Sequence, residues 1–402
     1  MLSYNFMDLL DVGVLISFGI VFLCESIAKI LRKWIESKCE DAAKLTIKYS
    51  DLVNRYNCDN LIQYVNKKTG KTETFPVVLL YQRNASEPIR INDNPEKFYK
   101  LPKQVADNSE RIMHMYAHSV NYNQINIRLE GLHIMKENGV NNIILDTSRT
   151  FYFDSLRTNR ACDCVLPNGN SIREIYEPGP YVRNLGGSKL SNHLGFNGFV
   201  ITKDKKIPFV LRGKNVNIGK GTLGDSIGAS LKAKYALSPT GQHKFTEDGM
   251  AWAIVNEIID ELGYGANLKG KKKEDCIQEL KEKALDSIIA FYRDLVEAGK
   301  PQFLFCMELD QDEAQVRNGF EEQLKKKADK KVTQKEKEML MDGTKLFFFS
   351  IDELKNATIT AGELCIERKE SGKEERFRMM PSASASIVML LEYLAVSCQP
   401  GG

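Results

Sequence analysis

No charge of either sign dominates this chain. Its 402 residues carry 56 Lys and Arg against 53 Asp and Glu, a formal net charge of +3. There is no global nucleic-acid footprint, and neither DNA nor RNA is an expected partner. The chain also lacks any C-x-x-C pair. Its nine cysteines stand at 24, 39, 58, 162, 164, 276, 306, 365 and 398, and Cys162-Asp163-Cys164 is too tight for ordinary zinc spacing. Their odd number and scatter fit a reducing compartment in which thiols act as small apolar side chains. Positive charge is missing from Met1 to Asp11, where a cleaved signal peptide needs it. The composition is not that of a disordered chain either: 43% apolar and 27% charged residues describe a folded protein, of a length that suits roughly two to three domains.

What is present begins with an apolar run. Val12 to Cys24 is uncharged, flanked by Asp11 and Glu25, with Lys29, Arg32 and Lys33 beyond. A membrane span needs about 20 apolar residues, a length reached here only by including the flanking charges. The expectation is one marginal transmembrane helix, with a buried hydrophobic helix as the other reading. Basic residues on its C-terminal side place the rest of the chain in the cytoplasm. A carboxylate so near lipid is costly, which points Glu25 towards self-association and the chain towards a homo-oligomer.

The residues that follow, Ile27 to Asn57, read as an amphipathic helical stalk. Lys68-Thr69-Gly70-Lys71 is a turn signal ahead of a strand-like PVVLLYQ, and Glu87 to Asn108 looks like a boundary. Met113 to Gly139 is expected as helix and Val140 to Phe153 as strand. Arg149, Arg157 and Arg160 lie among the hydroxyls of Thr147, Ser148, Thr150, Ser155 and Thr158, a composition that suits either a phosphate site or an ordinary strand edge. Two charge runs, Lys269 to Lys283 and Gln323 to Glu338, read as solvated helix faces or as a basic rim for anions.

The richest stretch is Asn256-Glu257-Ile258-Ile259-Asp260-Glu261-Leu262-Gly263-Tyr264. On a helix Glu257, Asp260 and Glu261 share one face. Three clustered carboxylates repel one another unless a hard divalent cation such as Mg²⁺ or Mn²⁺ sits between them. A solvated acidic face is the other account. The segment resembles the second half of the Nudix box, REUxEExGU, with Asn256 in the arginine position and Asp260 in place of the first glutamate of the pair. The first half departs from the pattern: Asp248 stands where its glutamate belongs and Gln242 where its glycine belongs, while Gly241 and Glu247 keep the spacing one residue early.

Surrounding segments extend the resemblance over about Ser188 to Leu394. Leu194 to Thr202 and Ile207 to Arg212 flank a turn and are expected as a hairpin. Lys220 to Ser230 holds the small residues that precede the box helix. Phe291 to Leu295 and Gly299 to Phe305 are expected as helix, turn and buried strand. Leu346 to Leu354 is similar to a later Nudix strand that runs into a short helix, and Ser382 to Leu394 is a terminal helix. The expected fold class is α+β, a Nudix-like α/β/α sandwich with a mixed sheet. The expected domains are an anchor at 1–34, a helical stalk and linker at 35–110, an accessory segment at 111–187 and the Nudix-like domain at 188–402.

A membrane helix, a spacer and a divergent Nudix-like domain together resemble membrane effectors of bacterial cyclic-oligonucleotide antiphage systems. That resemblance implies a nucleotide second messenger as ligand, the bacterial inner membrane as location and the lipid bilayer as target. Arg212, Lys220, Ser226 and Ser230 are then the candidate ligand contacts. The alternative is a membrane-tethered hydrolase of nucleoside diphosphate derivatives. In that reading Glu257, Asp260 and Glu261 hold Mg²⁺, and Glu257 and Glu261 are the catalytic pair.

Overall fold

The computed structural model describes residues 49–56, 58–116, 123–213, 219–237, 243–266, 268–328, 343–368 and 372–397. In the N-terminal half these form α1 (Tyr49–Arg55), β1 (Leu61–Val65), β2 (Thr72–Gln82), β3 (Ile89–Phe98), α2 (Lys103–Ala106), α3 (Ser109–His114), β4 (Ile125–Glu137), β5 (Val140–Phe151), α4 (Tyr152–Arg157) and α5 (Ile172–Tyr176). The second half supplies β6 (Gly195–Ile201), β7 (Lys206–Arg212), β8 (Leu223–Gly224), β9 (Ile227–Ser230), α6 (Ala233–Ala236), α7 (Glu247–Leu262), α8 (Lys271–Ala284), β10 (Ile288–Asp294) and β11 (Lys300–Glu308). It ends with α9 (Glu313–Ala328), β12 (Gly343–Ser350), α10 (Ile351–Lys355), β13 (Thr358–Ile359), β14 (Glu363–Glu367), β15 (Glu374–Arg378) and α11 (Pro381–Ser397). The class is mixed α+β, as expected.

A six-stranded sheet in the order β1-β2-β10-β11-β6-β9 is the frame. Only its β11–β6 pair is parallel; the others are antiparallel. Alternation sends successive side chains to opposite faces. Phe196, Val200, Phe291, Phe303 and Phe305 join the core beneath α7, with Ile254, Ile258 and Leu262. Phe199, Ile201, Tyr292 and Leu304 join a second core beneath α11, with Ile387, Val388 and Leu390. Helices therefore cover both faces. Three smaller sheets, β12-β7-β8, β13-β14-β15 and β3-β5-β4, complete the molecule.

Several expectations are corrected. The 35–110 segment is not a helical stalk within its described part, where only Tyr49–Arg55 is a helix of stalk position; β1 and β2 belong to the main sheet, with β2 paired to β10. The boundary expected over Glu87 to Asn108 contains β3, which runs parallel to β5. The helix expected over Met113 to Gly139 is largely β4, paired with β5 from Ile125 to Glu137. The helix expected at Phe291 to Leu295 is the end of β10.

The expected hairpin of β6 and β7 is a turn without a shared ladder. The Thr202 amide donates to the Lys206 carbonyl at 2.8 Å, but the two strands part into different sheets. β6 pairs along seven residues with β11, and β7 pairs with β12. Longer partners elsewhere outcompete the local one.

No helix among the described residues is long and apolar enough to cross a membrane. The expected span Val12 to Cys24 and Glu25 lie outside the described residues, as does nearly all of the expected stalk.

Candidate functional site

Helix α7 carries the acidic triplet and is fixed at both ends. Thr246 caps it, its hydroxyl accepting the Gly249 N–H. Gly263 ends it in the left-handed region at φ 68°, and a Cβ there would lie 2.1 Å from the Gly319 carbonyl oxygen of α9. No side chain fits that crossing. The first-turn acids are structural. Glu247 Oε1 accepts the Ile91 N–H of β3 at 2.8 Å, and Asp248 pairs with Lys281 of α8. Asp248 thus anchors a neighbouring helix, while Gly241 and Gln242 lie outside the described residues. Asn256, in the arginine position of the pattern, donates its side-chain amide to the Trp252 carbonyl one turn back at 2.8 Å.

The triplet itself is engaged by the segment just before it. Glu257 is 1% exposed, and its carboxylate meets the Lys232 ammonium at 2.5 Å. Burial pulls the Lys232 pKa down, but Glu257, then Glu261 and Asp260, outweigh it and the net shift is upward. Burial pushes the Glu257 pKa up, with Lys232 opposing. The Tyr235 hydroxyl donates to Asp260. The Lys232 and Lys234 ammoniums stand 5.4 and 4.3 Å from the Tyr235 ring centre, within cation–π range.

Helix α6 can come this close because Gly249 has no side chain: a Cβ there would sit 1.8 Å from the Ala236 carbonyl oxygen. Glu257, Asp260 and Glu261 lie on one side of α7, where the Lys232 ammonium pairs with Glu257 within the field of the other two. Among the described residues no three His, Cys, Asp or Glu side chains are grouped to hold a metal ion. Lys232 and Tyr235 are the site residues that sequence reasoning missed; they sit between β9 and α7 in a stretch with no motif of its own.

The four candidate ligand contacts separate. Ser226 is fully buried, its hydroxyl donating to the Pro208 carbonyl at 2.6 Å and accepting the Val200 N–H at 3.2 Å. That hydroxyl stitches β6 to β7, its one proton already given to Pro208, and its burial keeps it from a ligand. Ser230 is half-buried, 3.0 Å from His193 Nε2. Lys220 is exposed, beside a half-buried Arg212. The Arg212 side chain runs past Gly219 and Gly228: a Cβ on Gly219 would be 3.4 Å from Arg212 Cδ and 3.2 Å from Met380 Cγ, and one on Gly228 would be 3.5 Å from Arg212 Nη1.

The arginine and hydroxyl cluster of 146–164 is consumed internally. Arg149 grips Asp93 through both Nη atoms at 2.6 and 2.7 Å. Arg157 faces Asp154 at 3.8 Å, and Arg160 donates to the Tyr152 hydroxyl at 2.6 Å and faces Glu297 at 3.5 Å. Thr147 donates to Asp93 and Ser148 to Glu130.

A second constellation lies on the α11 face of the main sheet. Register places Tyr292 beside Gln302, Gln302 beside Gly195 and Gly195 beside Ser230, with Asn197 beside Gly228 one step along. Asp294 sits opposite Lys300, itself 3.5 Å from Glu297. The α11 N-terminus brings Ser382, Ser384 and Ser386 to this end of the face, and Asn197 donates to the Ser386 hydroxyl at 3.4 Å. Asp225 is 5% exposed. Burial raises its pKa well above the usual carboxylate range, with Ser386, Arg212 and Asn197 opposing. Yet neither Asp225 oxygen takes part in a hydrogen bond of ordinary geometry, and nor do the buried Tyr292 and Ser384 hydroxyls. Asp225 is the sole acid between Arg212 and Ala236, which is the only signal the sequence offers for it.

No protein-family model and no curated protein matches this chain.

Proposed function

We propose that the chain is a nucleotide sensor built on a Nudix-like domain, one that binds its ligand without hydrolysing it and passes the signal to a membrane through its N-terminal apolar run. One observation carries the non-hydrolytic part: the Lys232 ammonium is paired with Glu257 inside the field of Asp260 and Glu261, while Tyr235 holds Asp260. In the resembled box these carboxylates hold Mg²⁺, and a fixed ammonium in their midst competes for the same charge. The order of elements from β6 to α11, with the box helix on one face of a mixed sheet and the terminal helix on the other, supports the Nudix-like reading of the fold. That a fold is shared does not carry the activity with it.

The test uses the full-length chain. Incubated with Mg²⁺ and a panel of nucleoside diphosphate derivatives, it should show little turnover. A cyclic oligonucleotide should raise its melting temperature, since a ligand held at 100 times its Kd stabilises the folded state by about 2.7 kcal/mol. Lys232→Ala should not unmask rapid hydrolysis, because Asn256 still leaves the acids without their orienting arginine. Robust wild-type hydrolysis with no thermal shift would promote the hydrolase reading instead.

A further inference from the structure

Strand β4 has two unlike halves. Along the first, its outward edge is covered: the Ile127 N–H donates to the Leu231 carbonyl at 3.0 Å, the Leu194 N–H to the Ile127 carbonyl at 2.8 Å and the Leu129 N–H to the Asn192 carbonyl at 3.2 Å. A bulge between Leu129 and Gly131 then shifts the register against β5 by one residue. That shift moves the outward-pointing backbone groups from odd to even positions. The Asn138-Gly139 turn agrees with this parity. Both residues have positive φ, at 51° and 84°, and a two-residue hairpin of that kind makes Glu137 and Val140 a hydrogen-bonded pair. The N–H and C=O groups of Leu132, Ile134 and Lys136 therefore face away from β5, and among the described residues no backbone group meets them. His133 to Val140 are exposed, and Ile134, Met135 and Val140 put apolar surface on the arm. An open edge with apolar side chains is a template for another strand.

We propose that a second copy of this chain docks on that edge, β4 antiparallel to β4 across a two-fold axis at Met135. The proposal stands apart from the nucleotide-sensing reading. A two-fold contact uses the same patch on both copies, so the edge must be complementary to itself. With Met135 opposite Met135 of the second copy, Ile134 and Lys136 exchange backbone bonds with Lys136 and Ile134 opposite, and the open groups are paired. His133 then falls opposite Glu137 of the second copy. Within one copy His133 meets Asp146 at 2.8 Å, and Arg90 meets Glu137 at 3.3 Å. Across the seam each imidazole therefore lies between two carboxylates, and each Glu137 between a guanidinium and an imidazole. A slip of the register loses this match, setting Met135 against His133 and Glu137 against Gly131. Lysine ordinarily guards an edge; here the Lys136 stem lies along Ile134 of the second copy with its ammonium in water.

Position-specific cross-linking of the full-length chain tests the register. At Met135 the two Cα atoms form a pair without backbone bonds, about 4.5 Å apart and within disulfide reach. Met135→Cys should therefore yield a covalent dimer under mild oxidation, well above the wild type, whose own thiols set the background. Ile134→Cys should stay at that background, because its counterpart is displaced by about 7 Å along the strand. Sedimentation supplies the second readout. Met135→Lys sets two ammoniums directly opposite each other, so it should need at least about tenfold more protein to reach the same dimer fraction. Its circular dichroism spectrum should not change, because the side chain is 49% exposed in the single copy. Self-association through the N-terminal apolar run alone would leave both readouts flat. The assignment is overturned if the two cysteine variants cross-link alike, or if Met135→Lys assembles as the wild type does.

Discussion

At the scale of single residues, the acidic helix shows how one cation changes the meaning of a motif. Three carboxylates on one helical face signal a hard metal only while nothing else neutralises them. Lys232 pairs with one of them, Glu257, in the field of the other two, from a segment whose sequence announces nothing. A buried Asp–Glu–Lys grouping of the other kind lies at the Asp294–Glu297–Lys300 turn. Burial pushes the Asp294 carboxyl up to about 6, Glu297 adding and Lys300 opposing.

An acid whose pKa is higher in the folded state binds its proton more readily when folded. Stability from this group is therefore greatest at low pH and declines as pH rises from about 4 towards 6. Asp294→Asn mimics the protonated form. The wild type should trail this variant in melting temperature at pH 7.5 and close most of the gap at pH 4.5. A gap that widens on acidification would show that Asp294 is instead held ionised.

At the scale of elements, strands were lost where helix length was the deciding cue. Ile125-Asn126-Ile127-Arg128-Leu129-Glu130 alternates with period two, which is a strand signal. A helix over 113–139 absorbed it because its pairing partner, Val140–Phe151, is confirmed only by the fold. Phe291 to Leu295 failed for a related reason. It is short and buried on both faces, Arg293 and Asp294 included, and such runs do not separate strand from helix by periodicity. The acidic helix is legible in sequence because the helical spacing of its carboxylates and its closing glycine agree.

That closing glycine can be weighed. Gly263 and Gly139 both have positive φ, at 68° and 84°, but a Cβ at Gly139 meets nothing within 4 Å whereas one at Gly263 meets the Gly319 backbone. Gly139→Ala should cost about 1 kcal/mol, the price of the left-handed region alone. Gly263→Ala should cost at least about 2 kcal/mol more, because α7 and α9 must also move apart, a change comparable to overpacking a core. Urea unfolding of the two variants gives both numbers. Equal losses would mean that the α7–α9 crossing yields without resistance.

At the scale of the whole molecule, the division of labour between the two faces of the main sheet organises the functional reading. One face is sealed by α7 with Glu257 paired to Lys232 and Asp260 held by Tyr235, and the other gathers buried polar groups under the start of α11. Sequence showed the first because it is a local motif. It hid the second, which is assembled from β6, β9, β10 and β11 by sheet register and from α11 by packing, with Asn197 and Ser386 meeting across 189 residues.

The membrane arm of the proposal separates from the binding arm by substitution in the full-length chain. Ile16→Asp with Ile20→Asp places two carboxylates in the middle of Val12 to Cys24, each costing about 2.5–3.5 kcal/mol of insertion free energy at a helix centre. Both positions lie far in sequence from the proposed nucleotide-sensing domain, so cyclic-oligonucleotide binding should stay within about twofold of wild type. Sedimentation with membranes, and growth arrest when ligand is supplied in cells, should both be lost. Because ligand can only act on the output by binding its two states differently, a doubly substituted chain that still arrests growth would place the output elsewhere in the molecule. Retained binding with lost arrest would tie it to the apolar run.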